Sequence, residues 1–272
     1  MLNLLSYNLF QNALTVGIVI GILLPIIGVI VLLRRMTFIA DSFGHINMAG
    51  IALAILITSI VPTIGAFSEL ITILWTIAAA IVIEFLRERY SEYKELSITI
   101  VYSVSIALMM IFLNLAGGYN SSLFAVLFGN INGISDATVL TITISSAIII
   151  LIAALNYKKM LLLSLEEDYA KLYGVNVART KYLMMILIAL SITIAIKAIG
   201  VLLVSSLIVI PLLAAANISK SLRASLCFAI LFTEISIVLG IFSSYFLNLP
   251  TSSIIVITAI IIYLVTIPLK KS

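Results

Sequence analysis

Long uncharged apolar runs, each closed by a small knot of lysine and arginine, recur along the whole chain and leave little choice of architecture. No charged side chain precedes Arg34. The run over 9–33 already exceeds the ~20 residues an α-helix needs to cross a hydrocarbon core. Comparable runs follow over 37–59, 67–86, 97–116, 137–156, 180–198, 201–217, 224–246 and 252–268. They are continuously apolar rather than alternating with period two, which predicts helices and excludes a barrel. No soluble domain of 272 residues needs 63% hydrophobic residues and a mean hydropathy of +1.32. The fold class predicted is all-α, a polytopic transmembrane helical bundle of eight to nine spans forming one domain over 1–272. Spans six and seven are separated only by the turn in "KAIG", so they read either as two helices or as one broken unit.

The charges also orient the bundle. Basic residues cluster at Arg34–Arg35, at Arg87, Arg89 and Lys94, at Lys158–Lys159, at Lys171, Arg179 and Lys181, at Lys220 and Arg223, and at Lys270–Lys271. The turns over 60–67, 117–136 and 243–253 carry none. Assigning every cluster to the cytoplasm places 14 of the 15 basic residues inside, with Lys197 the exception. The positive-inside rule then predicts the N-terminus outside and the C-terminus cytoplasmic. No basic n-region precedes the first run, so it reads as a true span and not a cleaved signal. Because the basic residues sit in loops, the net charge of +4 reports topology, and no nucleic-acid partner is expected. The lone cysteine, Cys227, excludes an internal disulfide and reads as a small core or lipid-facing residue.

Within the apolar runs, the ionisable residues are the ones that carry information, because they are costly in lipid unless paired, hydrated or holding a cation. Asp41 and His45, the only histidine, lie four residues apart in "MTFIADSFGHINMAGIALAI". On a helix they share one face with Cβ atoms roughly 5–6 Å apart. One reading is an Asp–His hydrogen bond locking two helices. The other is a metal site: a carboxylate and an imidazole suit Zn²⁺, Mn²⁺ or Fe²⁺ without choosing among them. Two donors are too few for a structural zinc site, which wants four, and incomplete coordination suits an ion that must be released. Ligation needs a neutral imidazole, so uptake is expected to weaken in acid.

Glu234, near the middle of span eight, reads either as a pathway residue or as a carboxyl kept within the bundle. Glu69 and Asp136 read as solvated ends at the outer boundary. Lys197 either snorkels or pairs with a carboxylate. "GIVIG" at Gly17–Gly21 offers a small-xxx-small face for another helix of this chain or of a second subunit. Pro25 and Pro211 free backbone carbonyls within spans and are possible kinks.

The segment over 156–181 is the longest polar stretch. In it Glu166, Glu167 and Asp168, followed by Ala170, Lys171 and Gly174, read as a short amphipathic helix ended by glycine. It is an interfacial connector or a docking helix for a partner's groove. No Gly-Lys pair, and so no phosphate-binding "GxxxxGK[ST]", occurs anywhere. ATP use would need a separate subunit. One histidine and no "HExxH" argue against an intramembrane zinc hydrolase.

Several stretches in order resemble the membrane subunit of the zinc/manganese-type ABC metal importers. "RRMTFIADSFGHINMAGIALAI" is similar to the family's Gly-Asp, Ser/Ala-His, Gly-Val/Ile-Ala segment, and "SLFAVLFGN" to its Leu-Phe-Gly-Asp stretch. The segment from "EEDYAKLYGV" through "IPLLAAANIS" resembles its docking region, its basic-x-x-Gly turn and its Pro-Ala-Ala end. "NLPTSS" resembles its last loop. Ala40 replaces the usual glycine, Ala49 a common proline and Asn130 the aspartate, while Ser252 or Ser253 takes the late glycine position. The resemblance implies that Asp41 and His45 hold the transported ion, with no tightly bound cofactor. It also implies a homodimer in the cell membrane, two cytoplasmic ATP-binding subunits docking at Glu166–Gly174, and an extracytoplasmic metal-binding protein. The function expected is ATP-driven import of zinc, manganese or iron ions. The alternative is a secondary cation/proton transporter using Asp41 and Glu234.

Overall fold

The computed structural model describes residues 8–36, 38–90, 92–117, 129, 134–247 and 249–269. Among these residues the chain is helical and contains no strand. The helices are α1 (Asn8–Leu33), α2 (Ile39–Ile60), α3 (Ser68–Arg89), α4 (Lys94–Leu115), α5 (Asp136–Leu165), α6 (Glu167–Leu172), α7 (Val177–Ile199), α8 (Val201–Ile218), α9 (Leu222–Leu247) and α10 (Thr251–Thr266). Short 3₁₀ turns occupy Pro62–Phe67 and Ile267–Leu269. Nine of the described helices are long and apolar enough to cross a membrane, in keeping with the predicted polytopic bundle.

One boundary differs from the sequence reading, and another resolves a choice that the sequence left open. Helix α5 runs 30 residues, nine past the expected end at 156, so at about 1.5 Å per residue it is some 45 Å long. Nothing in "YKKMLLLSL" breaks a helix, and buried Met160 and Leu163 keep a packed stripe beyond the exposed lysines. The helix stops where Glu166 turns extended at φ −158°. At the other boundary, α7 and α8 are two helices joined by Gly200 alone. Its φ of 81° and ψ of 164° are a conformation essentially reserved for glycine. Helical structure continues through both Pro25 and Pro211.

Helix α1 lies at the centre, packed on α5, α7, α8 and α9, with Ala13, Val16, Ile20, Leu23, Leu24 and Ile27 fully buried. The peripheral helices α3, α4, α5 and α10 present exposed leucine and isoleucine instead. Lipid supplies no hydrophobic drive between helices, so close approach at small residues matters more. The glycines of "GIVIG" provide it within the chain. A Cβ on Gly17 would lie 2.7 Å from Ile237 Cγ2, and one on Gly21 would lie 2.5 Å from Glu234 Oε1, both on α9. Cys227 is exposed on α9.

Long-range polar contacts separate the two ends of the bundle. At the basic end, Glu84 of α3 pairs with Arg34 at 3.3 Å and with Arg87 at 3.7 Å, and Arg87 Nη1 also reaches Met36 Sδ. Nearby, Glu167 bridges Lys94 of α4 (3.8 Å) and Lys181 of α7 (2.8 Å). At the opposite end, Asn12 Nδ2 donates to Ile134 O and to Asp136 Oδ1 (2.6 Å), and Lys197 pairs with Glu69 at 2.6 Å. Glu69 and Asp136 are therefore partnered groups, not merely solvated ends. The start of α1 shares its end with the turns poor in basic residues, as the charge pattern predicts.

Candidate metal site and docking helix

Asp41 stands in the first turn of α2 and His45 one turn further on. Both lie within roughly 10 Å of the helix start, on the side of the basic end. The α2 N-terminus favours a carboxylate there, since its unpaired N–H groups carry partial positive charge. Packing fixes the face. Gly44 abuts Val201 of α8, where an added Cβ would sit 2.5 Å from Val201 Cγ1. His45 meets the ring of Tyr102 on α4 edge-to-face, with centroids 5.3 Å apart and planes at 82°. The pair thus occupies the strip of α2 between α4 and α8, and both side chains are half-buried.

No side-chain hydrogen bond joins Asp41 to His45, and neither side chain makes a hydrogen bond or ion pair to another described residue. The Asp–His side-chain hydrogen bond of the first reading is not formed here. The two side chains stand one turn apart on α2. Among the described residues there is no group of three or more His, Cys, Asp or Glu side chains able to hold a metal. Among the described residues, Asp41 and His45 are therefore not joined by a third His, Cys, Asp or Glu.

Glu234 does not join them. Its Oε1 is buried without a hydrogen-bond partner, seated against Gly21. The helices packed on α9 (α1, α8 and α10) contain no charged residue in their spans. A cavity of about 660 Å³ opens on a different face of α2, lined among others by Asn47, Thr58, Glu69, Thr72, Thr193 and Lys197. Asp41 and His45 are not in its wall. Asn47 closes the inner end by donating to Thr193 Oγ1 (3.1 Å) and Thr76 Oγ1 (3.4 Å).

The predicted docking segment forms as a distinct element. Helix α6 begins after extended Glu166, buries Ala170 completely, and ends at Gly174, whose φ is +72°. Asp168 and Lys171 pair along its exposed face at 3.0 Å. Burial works to raise the Glu167 carboxyl. The Lys181 hydrogen bond and the charges of Lys181, Lys94 and Arg34 outweigh it, so the group lies below its ordinary value. Two contributors escaped the sequence reading. Glu84 lies inside an expected span, and its i,i+3 spacing to Arg87 was the available signal. Tyr102 had none. The stretch 122–130 that resembles the Leu-Phe-Gly-Asp motif lies outside the described residues except for Gly129, and Asn130 is among those not described.

Comparison with known proteins agrees along almost the whole chain. A family model described as the ABC 3 transport family matches residues 6–270. The manganese transport system membrane protein MntC of Listeria monocytogenes is 29% identical over 262 residues, covering 96% of this chain and 91% of that protein. The high-affinity zinc uptake system membrane protein ZnuB of Buchnera aphidicola is also 29% identical, over 96% of this chain and 97% of its own length. Among solved structures, PsaBC from Streptococcus pneumoniae in complex with Fab superposes with a TM-score of 0.82 at 28% identity, over 97% of this chain and 92% of that one.

Proposed function

The chain belongs to the ABC 3 transport family, and on that footing we propose that it is the membrane permease of an ATP-driven importer of divalent transition-metal ions in which Asp41 and His45 receive the ion. Relatives named for manganese and for zinc transport match it over nearly its full length. That supports the substrate class and leaves manganese, zinc and iron as the ions to be compared. The permease itself hydrolyses nothing. ATP is consumed by separate cytoplasmic subunits that seat on α6, where Glu166, Glu167, Asp168, Ala170 and Gly174 form the contact. An extracytoplasmic binding protein delivers the ion to the end carrying Asn12, Glu69 and Lys197.

The observation that carries this reading is the unpartnered pair. A half-exposed carboxylate facing acyl chains costs several kcal/mol, so the strip between α4 and α8 must meet protein or water, not lipid. A second copy of the chain is the natural cover. Two copies bring two aspartates and two histidines together, the four N/O donors that a divalent transition metal accepts. Each copy alone holds the ion too weakly to trap it. Release then follows when the copies move apart.

The test is reconstitution of the chain with its ATPase and binding protein in liposomes, with Mn²⁺, Zn²⁺ and Fe²⁺ supplied in competition. Uptake should require ATP, and Asp41→Ala and His45→Ala should each abolish it while leaving the complex assembled. Wild-type uptake by both variants would remove the pair from the mechanism. Uptake without ATPase would show a secondary transporter instead.

A further inference from the structure

Tyr102 of α4 makes edge-to-face contact with two rings of α2 at once, Phe38 at 5.7 Å and His45 at 5.3 Å. Phe38 and His45 are seven residues, two turns, apart on one face of the helix, and Asp41 lies between them on that same face. A single phenol ring therefore spans the level of the carboxylate and ends on the imidazole. Its hydroxyl makes no hydrogen bond among the described residues, so the contact is one of ring against ring. Aromatic pairs between neighbouring helices are common as packing. Here one partner is a proposed metal donor.

A ligating histidine ordinarily has its second ring nitrogen tied to a carboxylate, a carbonyl or water, which sets the ring's rotation. His45 has no such bond to any described residue. Its ring contact is with Tyr102. The same helix reaches the docking segment, because Lys94 at the foot of α4 pairs with Glu167 of α6 at 3.8 Å. Eight residues, about 12 Å of rigid helix, separate Lys94 from Tyr102. Helix α4 is thus in contact with both the helix that meets the ATPase and the imidazole that meets the ion.

We propose that Tyr102 is a positioning residue of the Asp41–His45 pair: its ring holds the imidazole in the ligating orientation, and α4 carries movement of α6 at Lys94 to that ring. This rests on the reading of His45 as a ligand. The test uses the full complex in proteoliposomes, recording Mn²⁺ and Zn²⁺ uptake against concentration together with ions moved per ATP hydrolysed. Tyr102→Leu should raise the half-saturating metal concentration about three- to tenfold, the range an aromatic pair accounts for, and lower the ions moved per ATP. Tyr102→Phe, which keeps the ring, should restore both. Tyr102→Met serves in the same way if the leucine variant fails to fold. Lys94→Met, which leaves the Lys181–Glu167 pair in place, should lower ions per ATP, and Lys94→Arg, which keeps the charge, should restore it. Unchanged half-saturation in Tyr102→Leu, or equal loss in Tyr102→Phe, overturns the positioning role. Unchanged ions per ATP in Lys94→Met overturns the transmission through α4. His45→Ala is run alongside: normal uptake there condemns the ligand reading, whereas loss there with a silent Tyr102→Leu condemns this inference alone.

Discussion

Lys197 Nζ lies 2.6 Å from Glu69 Oε1, so the one basic residue that the charge pattern places outside is neutralised by an acid 128 positions away. The pair joins the start of α3 to the last turn of α7, and it borders the cavity that Asn47 closes from within. Both side chains keep substantial exposure, 36% and 62%, and exposed pairs contribute at most about 1 kcal/mol. Lys197→Ala should therefore lower the thermal midpoint in detergent only slightly, and the reversed pair Glu69→Lys with Lys197→Glu should recover it. A large loss that the reversed pair does not mend would show that something other than charge is at work.

The other ion cluster should behave very differently. Arg34, Glu84 and Arg87 are 8%, 1% and 5% exposed, and removing one partner of a buried pair costs about 3–5 kcal/mol because the remaining charge has no compensation. Glu84→Ala leaves two buried guanidiniums unbalanced, and should sharply reduce the fraction of monodisperse protein recovered on size exclusion. Recovery equal to wild type would mean that water reaches the cluster.

Gly21 and Glu234 provide a double-mutant test of packing. Gly21→Ala puts a methyl 2.5 Å from Glu234 Oε1, the movable end of that side chain, and should destabilise the protein by about 1 kcal/mol, the low end for an added methyl. Shortening the opposing side chain with Glu234→Ala removes the collision, so the double variant should be more stable than the sum of the single losses predicts. Strict additivity in thermal unfolding would mean that the two side chains do not share the space.

The anchoring of α6 should survive mild acid. With its carboxyl held below the ordinary value, Glu167 contributes stability that is present above the normal carboxylate range and lost as pH falls through its folded value. Protection of the α6 amides, relative to their intrinsic exchange rates at each pH, should hold from neutral pH to about pH 5 and fall only in stronger acid. Glu167→Gln should show fast exchange at neutral pH. Loss of protection already at pH 6 would contradict the assignment.

Much of this architecture was legible because charge punctuates it. Span positions, the opposing ends and the separateness of α6 all follow from where lysine and arginine interrupt apolar sequence. What stayed hidden was pairing across long separations. Nothing local to Glu69 points to Lys197, and nothing local to Tyr102 points to His45, because both contacts are created by helix packing. Helix α5 runs nine residues past the apolar span for a related reason: two lysines signal a membrane boundary, but a helix ends only where its backbone is broken. Asp41 and His45 were legible as a pair through their one-turn spacing. That they lack partners is visible only once their neighbours are in place.

Gly129 rests with a φ of +70° on the peptide between Ile199 and Gly200, so two stretches of main chain touch there with no side chain between them. Such a junction has no slack. Even one methyl at position 129 would prise the strands of chain apart, and the bare peptide link between α7 and α8 would lose its lateral support. Any rearrangement that moves α7 against α8 at Gly200 has to carry Gly129 with it.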